Sequence, residues 1–240
     1  MALSPASAGV SDELAHQSPE AISAMFGRVA PRYDLLNHLL AGGLDFHWRH
    51  RLVQAVAGQR PARVLDLATG SGDVLLALRG AGAFREHAAG ADFCLPMLRR
   101  ARAKGAPNLL AADALRLPFA DAGYDAVTIA FGLRNFADRA AGLREMRRVL
   151  RPGGHLYILE FSHPAPAFAG LYFWYLRHLM PWYARLFTSE EGAYRYLGQS
   201  IRAFPAQAEL AGMLRAAGFT GVRWKNLSLG IVALHIAAVA

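Results

Sequence analysis

Acidic residues around a glycine-rich turn are the part of the sequence best suited to bind a small polar ligand. Asp66 lies in an apolar run, and the turn 70–73 (Gly-Ser-Gly-Asp) follows it. Gly70 and Gly72 let the backbone turn tightly and approach a ligand closely. Asp92 lies 20 positions after Gly72, which is the spacing at which a carboxylate accepts both hydroxyls of a ribose.

A further carboxylate follows the next predicted strand. Asp113 and Ala114 stand where an adenine ring would lie, and the Asp113 carboxylate can accept a hydrogen bond from the adenine amino group. Each acidic residue also has a structural alternative, because short carboxylates cap helices and anchor turns. Asp66 would then be a turn anchor, Asp73 an N-cap, Asp92 a cap of the next helix and Asp113 a loop cap.

The sequence of the same turn indicates which of two classes of nucleotide ligand it binds. A dinucleotide fingerprint has Gly or Ala three positions after its second Gly, and that position here is Leu75. A pyrophosphate at the helix N-terminus would also meet Asp66 and Asp73. These carboxylates suit a ligand with an ammonium and a sulfonium group, so the pattern favours S-adenosylmethionine over a nicotinamide dinucleotide.

The elements that must position these residues alternate between strands and helices. Such alternation predicts a mostly parallel sheet with helices on both faces, and two final strands around Gly230 predict an antiparallel hairpin. The predicted fold class is therefore α/β, with the Rossmann-like sheet of class I S-adenosylmethionine-dependent methyltransferases. The predicted strands span 63–68, 88–92, 108–112, 124–130, 155–161, 222–227 and 231–239, and the main helices 45–57, 73–78, 95–104, 139–150 and 206–217.

Composition sets limits on the setting of the protein. Residues 1–17 are predicted to be a disordered leader and 18–240 a single methyltransferase domain, with a helical lid at 18–58 and an aromatic-rich helical insertion at 165–203. Cys94 is the one cysteine of the chain, which favours a reducing, cytoplasmic setting and excludes a Cys-rich metal site. No metal site and no spanning helix are expected, because no apolar run reaches about 18 residues. The net charge of +8 permits attraction to nucleic acid or anionic lipid.

Several segments between Met25 and the C terminus carry a family pattern. With these segments the sequence resembles the ubiquinone/menaquinone biosynthesis C-methyltransferases (the UbiE/MenG family). The most specific ones are Tyr33-Asp34-Leu35-Leu36-Asn37, Phe131-Gly132-Leu133-Arg134-Asn135 and Tyr194-Arg195-Tyr196-Leu197, and the others are 65–73, 148–154, 159–161 and 200–205.

The resemblance implies methylation of a ring carbon of a polyprenylated quinol in quinone biosynthesis. It implies cofactor contacts at Ser71, Asp92 and the Asp113-Ala114 pair, which join those expected at the turn. Four positions depart from the family pattern: Ser71 stands for Thr, Asp113 for Asn, Ala130 for Ser and Asp45 for His. The predicted cofactor-binding residues are Asp66, Gly70, Ser71, Gly72, Asp92, Asp113 and Ala114.

Ring methylation requires an aligned carbon nucleophile, an acceptor for the phenolic proton and stabilisation of the oxyanion. Arg134 and Asn135 follow the fourth predicted strand, where Arg134 would stabilise a phenolate and Asn135 would orient the ring hydroxyl. Tyr33, with Asp34 and Asn37 on the same helix face, would form a lid over the cofactor and the ring. The predicted catalytic residues are Arg134, Asn135 and Tyr33. The alternatives are a helix-start salt bridge for Arg134 and a solvated helix face for the Tyr33 group.

The isoprenoid tail of the expected substrate indicates which partners the protein has. The aromatic stretch 168–176, with Trp182 and Tyr183, suits a tunnel for an isoprenoid tail, a helix at a bilayer surface, or simple packing of a lid helix. Glu160 would face the same cavity or form a structural pair. Expected partners are a prenylated quinol and, transiently, the membrane surface, with peripheral location at the inner face of the plasma membrane. A homo-oligomer or a quinone-biosynthesis complex stays open.

Three other classes of protein fit the sequence less well. Leu75 and the paired acidic residues argue against a dehydrogenase. No nucleic-acid partner is expected, because the segment after the fourth strand lacks the Asn/Asp-Pro-Pro-aromatic motif of amino-methylating enzymes and Cys94 is misplaced for a cytosine nucleophile. The complete set of predicted cofactor-binding residues argues against a noncatalytic membrane-surface binder. Whether the ring is a naphthoquinol (demethylmenaquinol to menaquinol) or a polyprenyl-methoxy-benzoquinol stays open.

Overall fold

A seven-stranded sheet forms the centre of the computed structural model, which describes residues 41–179 and 191–240 together with Gly27 and His38. The predicted residues Tyr33, Asp34, Asn37, Trp182 and Tyr183 lie outside the described residues. The strands are β1 (Arg63–Leu67), β2 (His87–Asp92), β3 (Leu109–Ala111), β4 (Tyr124–Ala130), β5 (Leu150–Phe161), β6 (Thr220–Leu227) and β7 (Val232–Ala238).

Helices flank the sheet in the order that the sequence alternation predicts. A π-helical turn at Tyr175–Leu179 continues the helix that follows β5, and short 3-10 turns occupy Leu133–Asn135 and Ser228–Gly230. The helices are α1 (Leu44–Ala57), α2 (Asp73–Gly80), α3 (Leu95–Ala103), α4 (Arg139–Val149), α5 (Pro166–Trp174), α6 (Glu191–Arg202) and α7 (Gln207–Ala216).

The strand order is β3-β2-β1-β4-β5-β7-β6. Strands β1 to β5 pair in parallel, whereas β7 runs antiparallel to both β5 and β6. This arrangement confirms the predicted fold class, including the terminal hairpin. The chain order reverses between β1 and β4, and ligands of open α/β sheets bind at that point, outside the carboxyl ends of the strands.

Apolar side chains on both faces explain why the central strands are buried. Leu65 and Leu67 of β1 pack on the face covered by α4 and α7. Val64 packs on the opposite face, against Trp48 and Leu52 of α1. Strands covered on both faces show continuous apolar runs rather than alternation. Each of these strands therefore ends where the polar residues begin.

One strand begins earlier than the sequence predicts. The expected helix 139–150 and strand 155–161 meet instead at Leu150, which already pairs with Tyr124 of β4. The register shifts between Tyr124 and Ala126. Within the extra residues of β5, Gly153 has a φ of +77° and its N–H donates to Val239 O at 2.9 Å. The Pro-Gly-Gly segment therefore forms a bulge inside β5 and does not separate helix from strand.

The carboxyl ends of β1 and β4 are unusually close. Ala68 and Phe131, one residue past each strand, have φ values of +48° and +56°, a region in which side chains other than glycine are strained. A Cβ on Gly132 would lie 2.5 Å from the Ala68 Cβ. Glycine at that position is therefore required for the two strand ends to meet.

Candidate active site

Two cavities meet at the carboxyl ends of β1 and β4. The larger has a volume of about 670 Å³ and the smaller about 290 Å³. Ala68, Gly70, Ala130 and Phe131 line both cavities, so a ligand in one can reach a ligand in the other at this junction. The volumes lie in the range of small-molecule sites.

Asp92 is the buried carboxylate of the smaller cavity. Its Oδ2 accepts a hydrogen bond from the Gly70 N–H and its Oδ1 from the Cys94 N–H, each at 2.8 Å. Burial raises the pKa of Asp92, although backbone hydrogen bonds from Cys94 and Gly70 lower it. A carboxylate has about four acceptor positions, so positions remain for hydroxyl groups of a ligand.

Two further predicted cofactor residues, Ala114 and Asp113, also line the smaller cavity. Ala114 and Cys94 contribute small side chains to its wall. Asp113 also lines it, but the Asp113 side chain is exposed and its Oδ1 accepts from the Leu115 N–H at 2.8 Å. Asp113 therefore caps its own loop, as the structural alternative expects. Its contact with an adenine amino group stays a prediction.

Asp66 is buried beneath the larger cavity. Its two carboxylate oxygens accept hydrogen bonds from Thr69 Oγ1 and Thr128 Oγ1, both at 2.6 Å. Burial raises the pKa of Asp66 to about 7, and the two hydroxyl hydrogen bonds oppose that shift. The group therefore changes its charge near neutral pH.

Asp73 is less available to a ligand than the sequence suggests. Arg49 Nη1 lies 3.1 Å from its Oδ2, and Lys104 Nζ pairs with its Oδ1. Lys104 Nζ also donates to the predicted Ser71 at 3.3 Å. Two cations thus compensate the Asp73 charge, which corrects the expectation that this carboxylate would repel a pyrophosphate.

The two glycines of the turn have different positions. Gly70 lines both cavities and has a φ of +54°. Gly72 lines neither cavity, and a Cβ there would lie 3.0 Å from the Cβ atoms of Ala101 and Ala106. Its φ of +82° and this close contact indicate a packing role at the start of α2.

Arg134 of the larger cavity's wall forms a buried ion pair with Glu160, which lies behind it and lines neither cavity. Arg134 Nη1 lies 2.8 Å from Glu160 Oε1 and also donates to the Phe131 carbonyl. The Arg134 N–H donates to Glu160 Oε2 at 3.2 Å, and the guanidinium lies 5.4 Å from the Phe161 ring centroid. The salt-bridge alternative for Arg134 is therefore present. Arg134 also lines the larger cavity, and its contact with a phenolate stays a prediction.

Asn135 is held by a residue that the sequence reasoning missed. The hydroxyl of buried Tyr196 on α6 donates to Asn135 Oδ1 at 3.0 Å. Asn135 lines the smaller cavity, so this bond orients its amide there. Tyr196 belongs to one of the family-specific segments, and that segment was the available signal.

The far side of the larger cavity is apolar and reaches the surface. Four large apolar side chains line it while remaining 46–60% exposed. We call them the mouth cluster: Leu44, Phe168, Trp174 and Leu229. The inner wall there includes Phe161 and Tyr172.

The described part of the chain shows neither a metal cluster nor a membrane-spanning helix. No group of three or more His, Cys, Asp or Glu side chains lies close enough there to hold a metal ion. No helix in the same part of the chain is long and apolar enough to cross a membrane.

The sheet has the strand order and the antiparallel β7 of class I S-adenosylmethionine-dependent methyltransferases. Its two cavities lie at the β1–β4 ends, where that fold binds ligands. An S-adenosylmethionine-dependent methyltransferase structure from Thermotoga maritima matches with a TM-score of 0.64 at 19% identity, over 90% of this chain and 99% of that one. The [4+2]-cyclase SpnF matches with a TM-score of 0.64 at 20% identity, over 92% and 96%. Such likeness shows the fold alone, since function lies in the site.

Sequence comparison identifies the family. A "Demethylmenaquinone methyltransferase" of Thermus thermophilus is 49% identical over 88% of this chain and 98% of its own. Another of that name, from Mycolicibacterium vanbaalenii, is 48% identical over 93% and 97%. Residues 14–239 match the model of the ubiE/COQ5 methyltransferase family, and the chain belongs to that family of enzymes.

Proposed function

We propose that this methyltransferase uses S-adenosylmethionine to methylate the ring of demethylmenaquinol, giving menaquinol. The observation that carries the proposal is the junction of the two cavities at the β1–β4 ends. One cavity offers a buried carboxylate suited to a ribose, and the other is polar near the turn and apolar toward its mouth. The names of the relatives favour the naphthoquinol ring over a benzoquinol ring.

The residues of the smaller cavity fit the adenosine part of the cofactor. Asp92 would accept the ribose hydroxyls, and the wall at Asp113 and Ala114 would hold the adenine. Gly70, shared by both cavities, allows the chain to pass close to the sulfur. When bound, S-adenosylmethionine supplies an electrophilic methyl group at the cavity junction.

The residues that follow β4, Arg134 in the larger cavity and Asn135 in the smaller one, fit the demands of a quinol ring placed where the cavities meet. Arg134 would donate hydrogen bonds to the phenolate oxygen, and Glu160 would hold the guanidinium in place while offsetting its charge. Asn135, with its oxygen bound by Tyr196, would present its amide N–H groups to the ring hydroxyl. Arg134 is too basic to remove the proton itself. Tyr33 would complete the site from the N-terminal segment, as the sequence predicts.

Quinone profiling tests the proposed substrate. A bacterial strain that makes both menaquinone and ubiquinone and lacks the corresponding methyltransferase is complemented with this chain. We expect menaquinone to reappear and demethylmenaquinone to disappear. Persistent demethylmenaquinone alongside restored ubiquinone would instead assign the benzoquinol as substrate and contradict the proposal.

Cofactor affinity is expected to increase with pH. The pKa of Asp66 is raised to about 7 by burial, so the empty site binds a proton there at lower pH. A sulfonium and ammonium ligand favours the ionised carboxylate, so binding releases that proton. S-adenosylmethionine should bind more tightly as pH rises from about 6 to about 8.

Calorimetry in buffers of different ionisation enthalpy measures this proton release. Asp66→Asn should remove the pH dependence, because the amide cannot titrate. A wild-type affinity that is flat across this range would show that Asp66 does not titrate in the site.

The mouth cluster is proposed to meet the membrane surface, where the insoluble substrate resides. Trp174, 52% exposed, is its aromatic residue of the kind enriched at bilayer interfaces. Arg177 beside it is exposed and suits anionic headgroups. Trp174→Ala should therefore weaken sedimentation with anionic liposomes, and high salt should weaken that of the wild type.

A matched control is available on the edge strand β6. Trp224 on β6 is 41% exposed and lines neither of the two cavities. Trp224→Ala should leave liposome binding unchanged. Equal loss in the two variants would remove the mouth cluster from the membrane contact.

A further inference from the structure

Asp45, in the first turn of α1, has a carboxylate oxygen that the described structure leaves without a hydrogen-bond donor. The residue is 4% exposed and lines the larger cavity. Its Oδ1 is buried and receives no hydrogen bond. Buried polar atoms are nearly always hydrogen-bonded, and an unsatisfied one costs about 1–3 kcal/mol. Because Asp45 is a residue of the cavity wall, a ligand that extends to it can supply the donor that Oδ1 lacks.

The other oxygen of Asp45 is firmly held. Arg49 Nη2 and His38 Nδ1 each lie 2.5 Å from Oδ2. Arg49 is one helical turn along α1 and continues to Asp73 through its Nη1. These contacts fix the carboxylate so that Oδ1 is presented in one orientation.

The position of Asp45 identifies the part of the ligand that it meets. Arg49 links it to Asp73, which begins α2 directly after the glycine turn. Through Arg49, Asp45 is therefore joined to the turn end of the larger cavity, where Ser71 and Asp73 also line the wall. A cofactor with its adenosine in the smaller cavity would extend its amino-acid end into this region.

The carboxylates first expected to meet that end are already occupied. Asp73 pairs with Arg49 and Lys104, and Asp66 accepts two threonine hydroxyls. An α-ammonium offers three N–H donors and a positive charge, which matches an anionic oxygen without a donor.

We infer that Asp45 binds the α-ammonium group of the methyl donor through its Oδ1. The inference rests on the proposed use of S-adenosylmethionine but not on the identity of the methyl acceptor. It assigns Asp45 to cofactor binding, in the place where the sequence pattern first suggested Asp73.

Binding of two product-like ligands tests the assignment without turnover. S-adenosylhomocysteine carries the amino-acid end, and 5′-methylthioadenosine lacks it. Asp45→Asn should weaken S-adenosylhomocysteine binding by about 10-fold or more, as for the loss of a charged hydrogen-bond partner. Affinity for 5′-methylthioadenosine should stay unchanged. The variant keeps one anionic partner for Arg49, because Asp73 remains.

The other outcomes of calorimetry decide against the inference. Equal weakening of both ligands would make Asp45 a structural residue, and Asp45→His, with the family's side chain, should then bind both ligands as the wild type does. Unchanged affinity for both ligands with reduced turnover and a shifted pH profile would make Asp45 an acceptor for the ring proton. A wild type that binds neither ligand would contradict the proposed function, and this inference with it.

Discussion

Arg134→Ala is expected to lower methyl-transfer turnover by about 100-fold or more, the usual loss when a donor to a developing oxyanion is removed. Arg134 lies in the wall of the larger cavity, directly after the β4 end where the methyl group would be transferred. Affinity for S-adenosylhomocysteine should change little, because the smaller cavity does not include Arg134. Single-turnover kinetics with calorimetry separates the two quantities.

Arg134→Ala should also destabilise the protein, because it leaves a buried carboxylate without its partner. Glu160 is 1% exposed. Leaving one member of a buried ion pair without its partner lowers the free energy of unfolding by about 3–5 kcal/mol. The double variant Arg134→Met with Glu160→Gln removes both charges and should recover most of the thermal stability. Its turnover should remain low. A folded double variant with normal turnover would remove Arg134 from the mechanism.

Asp92→Ala is expected to weaken S-adenosylmethionine binding by about 2 kcal/mol or more, about 30-fold, since hydrogen bonds to charged groups are involved. The substitution removes the proposed ribose acceptor. It also leaves the Gly70 and Cys94 N–H groups without their carboxylate, so the turn that lines both cavities loosens. Calorimetry with S-adenosylmethionine and NADH measures the effect.

A surface aspartate provides the control for this prediction. Asp121 pairs with Arg148, and its side chain is 79% exposed. Asp121→Ala should bind the cofactor as the wild type does. Tighter wild-type binding of NADH than of S-adenosylmethionine would contradict the cofactor assignment, and an unaffected Asp92→Ala would contradict the role of the carboxylate.

The sheet could be predicted because its information is local. An apolar run such as that of β1 followed by a glycine turn predicts a buried strand and the start of a helix, and repetition of this pattern predicts a parallel sheet. The start of β5 was missed because a bulge depends on pairing with another strand. Leu150 joins the sheet through Tyr124, which no pattern around the Pro-Gly-Gly segment indicates.

The site was predicted less completely, because charge compensation is a long-range property. Asp73 obtains its counter-ions from positions 24 residues earlier and 31 residues later. Tyr196 reaches Asn135 across 61 positions. Residue type and spacing selected the acidic residues correctly as polar groups near the strand ends. Only the packing reveals which carboxylate is satisfied and that Asp45 keeps an oxygen without a donor.

Methyl transfer with purified components tests the central claim most directly. The protein is incubated with S-adenosylmethionine labelled in its methyl group and, in parallel, with reduced demethylmenaquinone or a reduced demethylated benzoquinone in detergent micelles, and the products are analysed by mass spectrometry. We predict that the label enters the naphthoquinol ring and that Arg134→Met with Glu160→Gln prevents it. Label in the benzoquinol alone, or in neither ring, would contradict the proposed function.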